Sequence, residues 1–207
     1  MLKINFLGDS ITEGALASCV EKNYVYLVGK MLNAEVRNYG ISGTRIAKQI
    51  VPSDILKHDL YYASRVKDMS RSADFVFVMG GTNDFGHGDA PFGKIGNKKP
   101  DTFCGAVADL IKTLLKYYDK DKIVFIPPLR RLDEDNMYGD GNPKNAPRNP
   151  LSEYRKALIE ICNLNGVAVL DMTDEIGFDL LADGLHPNDE GHRLIAELIV
   201  DYIKGKY

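Results

Sequence analysis

Short apolar runs punctuate the chain, and longer amphipathic stretches separate them. Leu2–Leu7, Ala34–Arg37, Phe75–Met79, Ile123–Ile126 and Val167–Leu170 read as strands. Phe75–Met79 is apolar at every position, the pattern of a strand covered on both faces rather than one. Between these runs the spacing predicts helices over Tyr24–Leu32, Phe103–Tyr118, Ser152–Asn163 and Asn188–Tyr202. A polar, helix-compatible segment covers His58–Ser70. Asp101 with Thr102, and Asn188, carry side chains suited to cap the helices that follow them. Five apolar strands alternating with helices predict an α/β fold: a parallel sheet with helices on both faces.

In such a sheet, chemistry gathers at the carboxyl ends of the strands. The loops to inspect therefore hold Gly8-Asp9-Ser10, Asn38 to Gly43, Gly80 to Asp84, Pro127-Pro128 and Asp183 to His186. Two loops are long, Phe85–Pro100 and Pro127–Pro150, and both leave strand carboxyl ends. Both are expected to overhang the site as lids or binding loops, with a plain surface excursion equally open for the second.

Composition narrows the class. The 207 residues suit one compact domain spanning 1–207. Apolar residues make up 44% and charged residues 27%, with a net charge of -3, which argues against a nucleic-acid partner. No window approaches the roughly 18 apolar residues of a membrane span, and Met1–Leu7 is too short for the centre of a signal peptide. The expectation is a cytoplasmic protein without membrane insertion. Cys19, Cys104 and Cys162 are an odd number at wide spacing, neither a disulfide framework nor a metal knuckle.

Four loop segments carry groups that can do acyl chemistry. Ser10 follows a strand at the start of a helix, where free backbone N–H groups favour a developing oxyanion. A serine nucleophile needs a base, and the base needs an orienting partner. Asp183 and His186 lie three apart on a short loop before the last helix, and Gly184 helps the carboxylate turn back to the ring. In Gly80-Gly81-Thr82-Asn83-Asp84 the asparagine amide can donate to an oxyanion. In Asn38-Tyr39-Gly40-Ile41-Ser42-Gly43 an inward glycine N–H can do the same. Each segment alone also reads as an ordinary cap or turn.

Together and in this order, the four segments resemble the SGNH family, the GDSL-type esterases and lipases, from Gly8 to His186. The resemblance implies a three-layer α/β/α sandwich with a flavodoxin-like sheet. It implies Ser10 as nucleophile, His186 as base and Asp183 as its partner. The oxyanion donors would be the N–H groups of Ser10 and Gly43 and the Asn83 side chain. Ile11 stands where the family's motif has leucine, a packing position. No cofactor and no metal are implied, and the partner is a small-molecule ester. The family spans lipids, thioesters and acetylated sugars, so an esterase for a short acyl or acetyl ester stands beside a lysophospholipase, a thioesterase and an acyltransferase. A non-catalytic ligand-binding protein on the same fold is the reading from another class.

Other residues were weighed against this set. Asp9, Asp84 and His87 flank the site as possible substrate contacts, although the first reading of the two aspartates is structural, as ligands of nearby backbone N–H groups. His192 reads as a surface or packing residue of the last helix, and His58 has no motif around it. Arg130, Arg131, Lys144 and Arg148 form either a solvated face or a greeting for an anionic substrate. Gly88–Lys94 resembles a phosphate-binding loop but is followed by Ile95 where Ser or Thr would bind magnesium. The Gly-x-Ser-x-Gly elbow of the α/β-hydrolase fold is missing. Oligomeric state is not readable.

Overall fold

A computed structural model describes residues 1–137 and 149–206. Its frame is a five-stranded parallel sheet of β1 (Lys3–Gly8), β2 (Glu35–Gly40), β3 (Phe75–Met79), β4 (Ile123–Ile126) and β5 (Ala168–Val169), in the order β2-β1-β3-β4-β5. This is the flavodoxin-like order, with a switch point between β1 and β3. The crossover from β1 to β2 and the one from β2 to β3 lie on opposite faces of the sheet, which opens a crevice at the strand ends.

Period-two alternation explains the two cores. Ile4 and Phe6 of β1, Phe75, Phe77 and Met79 of β3, and Val124 and Ile126 of β4 face one side. There they bury against α2 (Tyr24–Leu32) and α7 (Asp189–Lys204). Leu7, Val76, Val78, Ile123 and Phe125 face the other side. They pack on α3 (Tyr62–Arg65), α5 (Phe103–Leu114) and α6 (Leu151–Leu164). The result is a three-layer α/β/α sandwich. Asn23, Thr102 and Asn188 cap α2, α5 and α7, accepting from Val25 N, Gly105 N and Gly191 N.

Differences from the sequence reading have local causes. β2 runs on through Asn38, Tyr39 and Gly40, because its register with β1 continues to the pair Gly8–Gly40. His58–Ser70 is not one helix. It divides into two 3-10 turns around α3, and the Tyr62 hydroxyl donates to Met79 O beneath the sheet end. The Phe103–Tyr118 helix stops at Leu114. Pro187 lies just before the α7 cap and is bridged to Leu181.

The two long loops part company. In the first, Phe92 packs on Phe103 and Tyr154, and residues 95–98 line a groove with the second halves of α5 and α6. Helices in this architecture run back from the strand carboxyl ends, so that tip lies away from the site instead of over it. Nearer its start, Asp89 accepts from Ile50 N and Val51 N and braces the 50–51 segment. In the second loop Leu132 N donates to Gly184 O at 2.8 Å, latching it to the turn that carries His186. No helix of the described residues is long and apolar enough to cross a membrane.

Candidate active site

Ser10 is the first residue of α1 (Ser10–Glu13), directly after β1. Asp9 caps this short helix, Oδ1 accepting from Ile11 N at 3.1 Å. Ser10 Oγ lies 2.9 Å from His186 Nε2, and His186 Nδ1 lies 2.8 Å from Asp183 Oδ2. With Nδ1–H donating to the carboxylate, Nε2 is left to accept the serine proton.

The loop that holds this pair is rigid for reasons of its own sequence. Asp183 Oδ1 accepts from Leu185 N and His186 N at 3.0 and 2.7 Å. Gly184 takes φ +85°, a conformation side-chain-bearing residues rarely adopt. Ala182 N donates to His186 O, Asn188 N donates to Leu180 O, and Leu181 bridges Pro187, closing the turn as a small antiparallel loop.

The opposite side is built from the ends of β2 and β3. The Ile41–Thr44 turn, closed by Thr44 N donating to Ile41 O, puts Gly43 at φ +76°. The positive φ favours glycine there, and a Cβ would lie 2.4 Å from His58 Nε2, so the ring would also have to shift. Asn83 lies in α4 (Thr82–Gly86), and its Nδ2 donates to Thr44 O at 2.9 Å. Asp84 accepts from Ile46 N and Ala47 N at 2.9 and 2.8 Å. Arg65 donates to Tyr39 O, Gly8 O and Thr44 Oγ1, tying the ends of β1 and β2 to the same turn. The loops after β1, β2 and β3, three neighbouring strands, are thereby fastened into one block.

The profile of the GDSL-like lipase/acylhydrolase family matches residues 6–194, a span that holds every one of these segments. The chain belongs to that family. It is a hydrolase acting on ester bonds. No curated protein matches it in sequence. Among solved structures, a protein from Lactobacillus plantarum is 26% identical, with TM-score 0.81 over 100% of this chain and 98% of its own. The lipase/acylhydrolase from Enterococcus faecalis shares the fold at 24% identity, TM-score 0.71, over 100% of this chain and 97% of its own. Est24, a carbohydrate acetylesterase from Sinorhizobium meliloti, does so at 18% identity, TM-score 0.73, over all of both chains.

In this GDSL-like hydrolase three aspartates surround the site and differ in how firmly they hold a proton. Burial works against an ionised Asp183, but the His186 N–H, its ring and the Leu185 N–H outweigh it and hold the carboxyl below its ordinary range. Asp9 is raised to about 6, by burial first and against the Ile11 N–H. Asp84 is raised to about 6 by burial, against the N–H groups of Ala47 and Ile46. Asp9 and Asp84 are 1% and 4% exposed, and their bonds go to backbone. They brace the loops, the role the sequence reading put first. His87 is turned to Asn83 Oδ1, 3.0 Å from its Nε2.

Three further residues find their roles in packing and bracing. His192 is fully buried, stacked on Tyr24, accepting from Tyr24 N and lying 3.4 Å from Ala15 O just beyond α1. Arg130 pairs with Glu134 and stacks on Phe178, and Arg131 bonds Asp133 and Thr82, so both brace the second loop. Lys144 and Arg148 lie outside the described residues. Sequence reasoning missed His58 at Gly43 and the Arg65 clamp, because neither has a motif or a periodic neighbour.

Proposed function

We propose that the protein is a serine esterase for short acyl esters, the acetyl esters of carbohydrates among them, with Ser10 as nucleophile, His186 as base and Asp183 as its partner. The carrying observation is the hydrogen-bonded run from Ser10 Oγ through the His186 ring to Asp183. In the reaction, His186 Nε2 takes the Ser10 proton as Oγ bonds to the ester carbonyl carbon. The negative oxygen that forms accepts from Ser10 N–H, Gly43 N–H and Asn83 Nδ2–H. Ser10 N–H belongs to the first turn of α1, where no carbonyl one turn back can claim it. The tetrahedral species expels the alcohol, which leaves with the proton from His186. Water then gives its proton to the same ring, attacks the acyl carbon and releases the acid and Ser10. Asp183, kept ionised, steadies the imidazolium in both halves.

Est24, a carbohydrate acetylesterase, shares this fold, which supports a short acyl group. Turnover of nitrophenyl esters from acetyl to dodecanoyl, and of an acetylated xylan, tests the reading. Acetyl esters are expected to lead in kcat/KM and Ser10→Ala to abolish turnover of all. A dodecanoyl ester in the lead, or turnover surviving in Ser10→Ala, contradicts it.

A further inference from the structure

The oxyanion side of the site rests on a hydrogen-bonded chain that starts at a buried guanidinium. Arg45, 4% exposed, lies with Nη2 2.7 Å from His87 Nδ1. A guanidinium stays protonated and offers only donors, so Nδ1 must accept. The neutral ring then carries its hydrogen on Nε2. That nitrogen lies 3.0 Å from Asn83 Oδ1, so the amide presents its oxygen to the ring. A reversed amide would set two donors against each other at His87 and two acceptors against each other at Thr44 O. The guanidinium thus dictates the tautomer, and the tautomer dictates which way Asn83 points.

The consequence falls on the Asn83 amide nitrogen. One of its hydrogens goes to Thr44 O at 2.9 Å. Thr44 is the residue after Gly43, so the amide is docked against the turn that carries the other donor. The second hydrogen is fixed by the planarity of the amide, and it has no acceptor among the described residues. His87 is also the residue that ends α4, four beyond Asn83, and its backbone N–H donates to Asn83 O at 3.0 Å. Ring and backbone therefore hold the same residue from two sides.

We propose that His87 is a positioning residue of the oxyanion hole: locked in one tautomer by Arg45, it holds the Asn83 amide with an N–H toward the developing negative charge. This rests on the role given to Asn83 in the proposed function. It also turns His87 away from substrate binding, because the positioning role uses both of its ring nitrogens. The side chain acts before the substrate arrives: a free amide would have to be reoriented during the reaction, whereas a held one is already aligned.

The test is a double-mutant cycle between the two residues on nitrophenyl acetate, with folding checked by circular dichroism. His87→Leu keeps bulk and loses both hydrogen bonds. His87→Asn keeps an acceptor for Arg45 but ends short of Asn83, and serves the same purpose if the leucine variant does not fold. His87→Gln can accept from Arg45 and donate to Asn83. Leu and Asn are expected to lower kcat roughly tenfold to a hundredfold with little change in KM, the mark of an interaction made in the transition state. Gln is expected to restore kcat to within about threefold of wild type. In the Asn83→Ala background, His87→Leu should cost less than about twofold, since its route to the reaction is already gone. An equal loss in both backgrounds, or full kcat in His87→Leu and His87→Asn while Asn83→Ala is impaired, overturns the proposal and leaves the esterase reading standing. Wild-type turnover in Asn83→Ala overturns the oxyanion assignment beneath it as well.

Discussion

The two sides of the proposed site, that of the proposed base and that of the proposed oxyanion hole, are built in opposite ways. The base side is local: Asp183 binds the His186 ring and the N–H groups of Leu185 and His186, all within three residues. It is also partly open, with 45% of the Asp183 side chain exposed. The oxyanion side is assembled from a distance and buried. Asn83 reaches Thr44 across 39 positions, Asp84 reaches Ala47 and Ile46 across 37 and 38, and Arg45 reaches His87 across 42. The contrast shows in the carboxylates. Asp183 stays below its ordinary pKa, while Asp84 rises to about 6 although it accepts two backbone N–H groups at similar distances. Hydrogen bonds do not settle a charge by themselves; water access decides whether they outweigh burial. A carboxylate that must stay charged beside a histidine is kept near solvent, and carboxylates that only hold loops together are not.

Substitutions can break this contrast, and the largest effect belongs to the local side. His186→Ala removes the proposed base from an otherwise intact turn, and turnover is expected to fall by about 10⁴-fold or more. Steady-state kinetics on nitrophenyl acetate measures it, and a loss below about a hundredfold would move the base elsewhere. On the distant side Asn83→Ala is expected to lose on the order of a hundred- to a thousandfold in kcat. Circular dichroism should show the fold kept, which separates a lost donor from a lost structure.

Asp84→Asn sharpens the comparison through pH. Its carboxyl is raised from 3.8 to about 6 on folding, so between those values the folded protein holds a proton the unfolded chain has released. The associated stability is present below about pH 4 and is lost as pH rises through about 6. The stability of wild type relative to Asp84→Asn should therefore decline from pH 4 to pH 7, by at most roughly 3 kcal/mol. Thermal melts across that range measure the gap, and a gap independent of pH contradicts the account. The smallest effect is expected at Asn188, which caps α7 two residues after His186. Asn188→Ala should cost about 1 kcal/mol and lower the melting temperature by about 2–4 °C, with kcat nearly unchanged.

The same contrast explains what could be read from sequence. Phe75–Met79 and Ile123–Ile126 are legible to the residue, because a strand buried on both faces is an unbroken apolar run, here entered from Asp74 and Lys122 and ended by Gly80 and Pro127. Asp183 and His186 are legible as a pair because their hydrogen bond spans three residues. The edge strand β2 was cut short by its polar end, where Asn38 binds Thr12 O rather than ending the strand. The oxyanion scaffold was invisible for a different reason. A bond between Arg45 and His87 leaves no mark in either local stretch, and His58 reaches Gly43 across a connection without periodicity. His192 was read by its position on a helix and is in fact buried under the loop after Ser10. Motif order could place Asn83 in a site; it could not say what holds it there.

The central claim is that Ser10 is the nucleophile, and covalent labelling tests it most directly. The protein is treated with a fluorophosphonate, digested, and the modified peptide mapped by mass spectrometry. The account predicts one adduct, on Ser10, formed in step with loss of esterase activity and abolished in Ser10→Ala. An active enzyme that stays unlabelled, or is inactivated through an adduct on another residue, would contradict it.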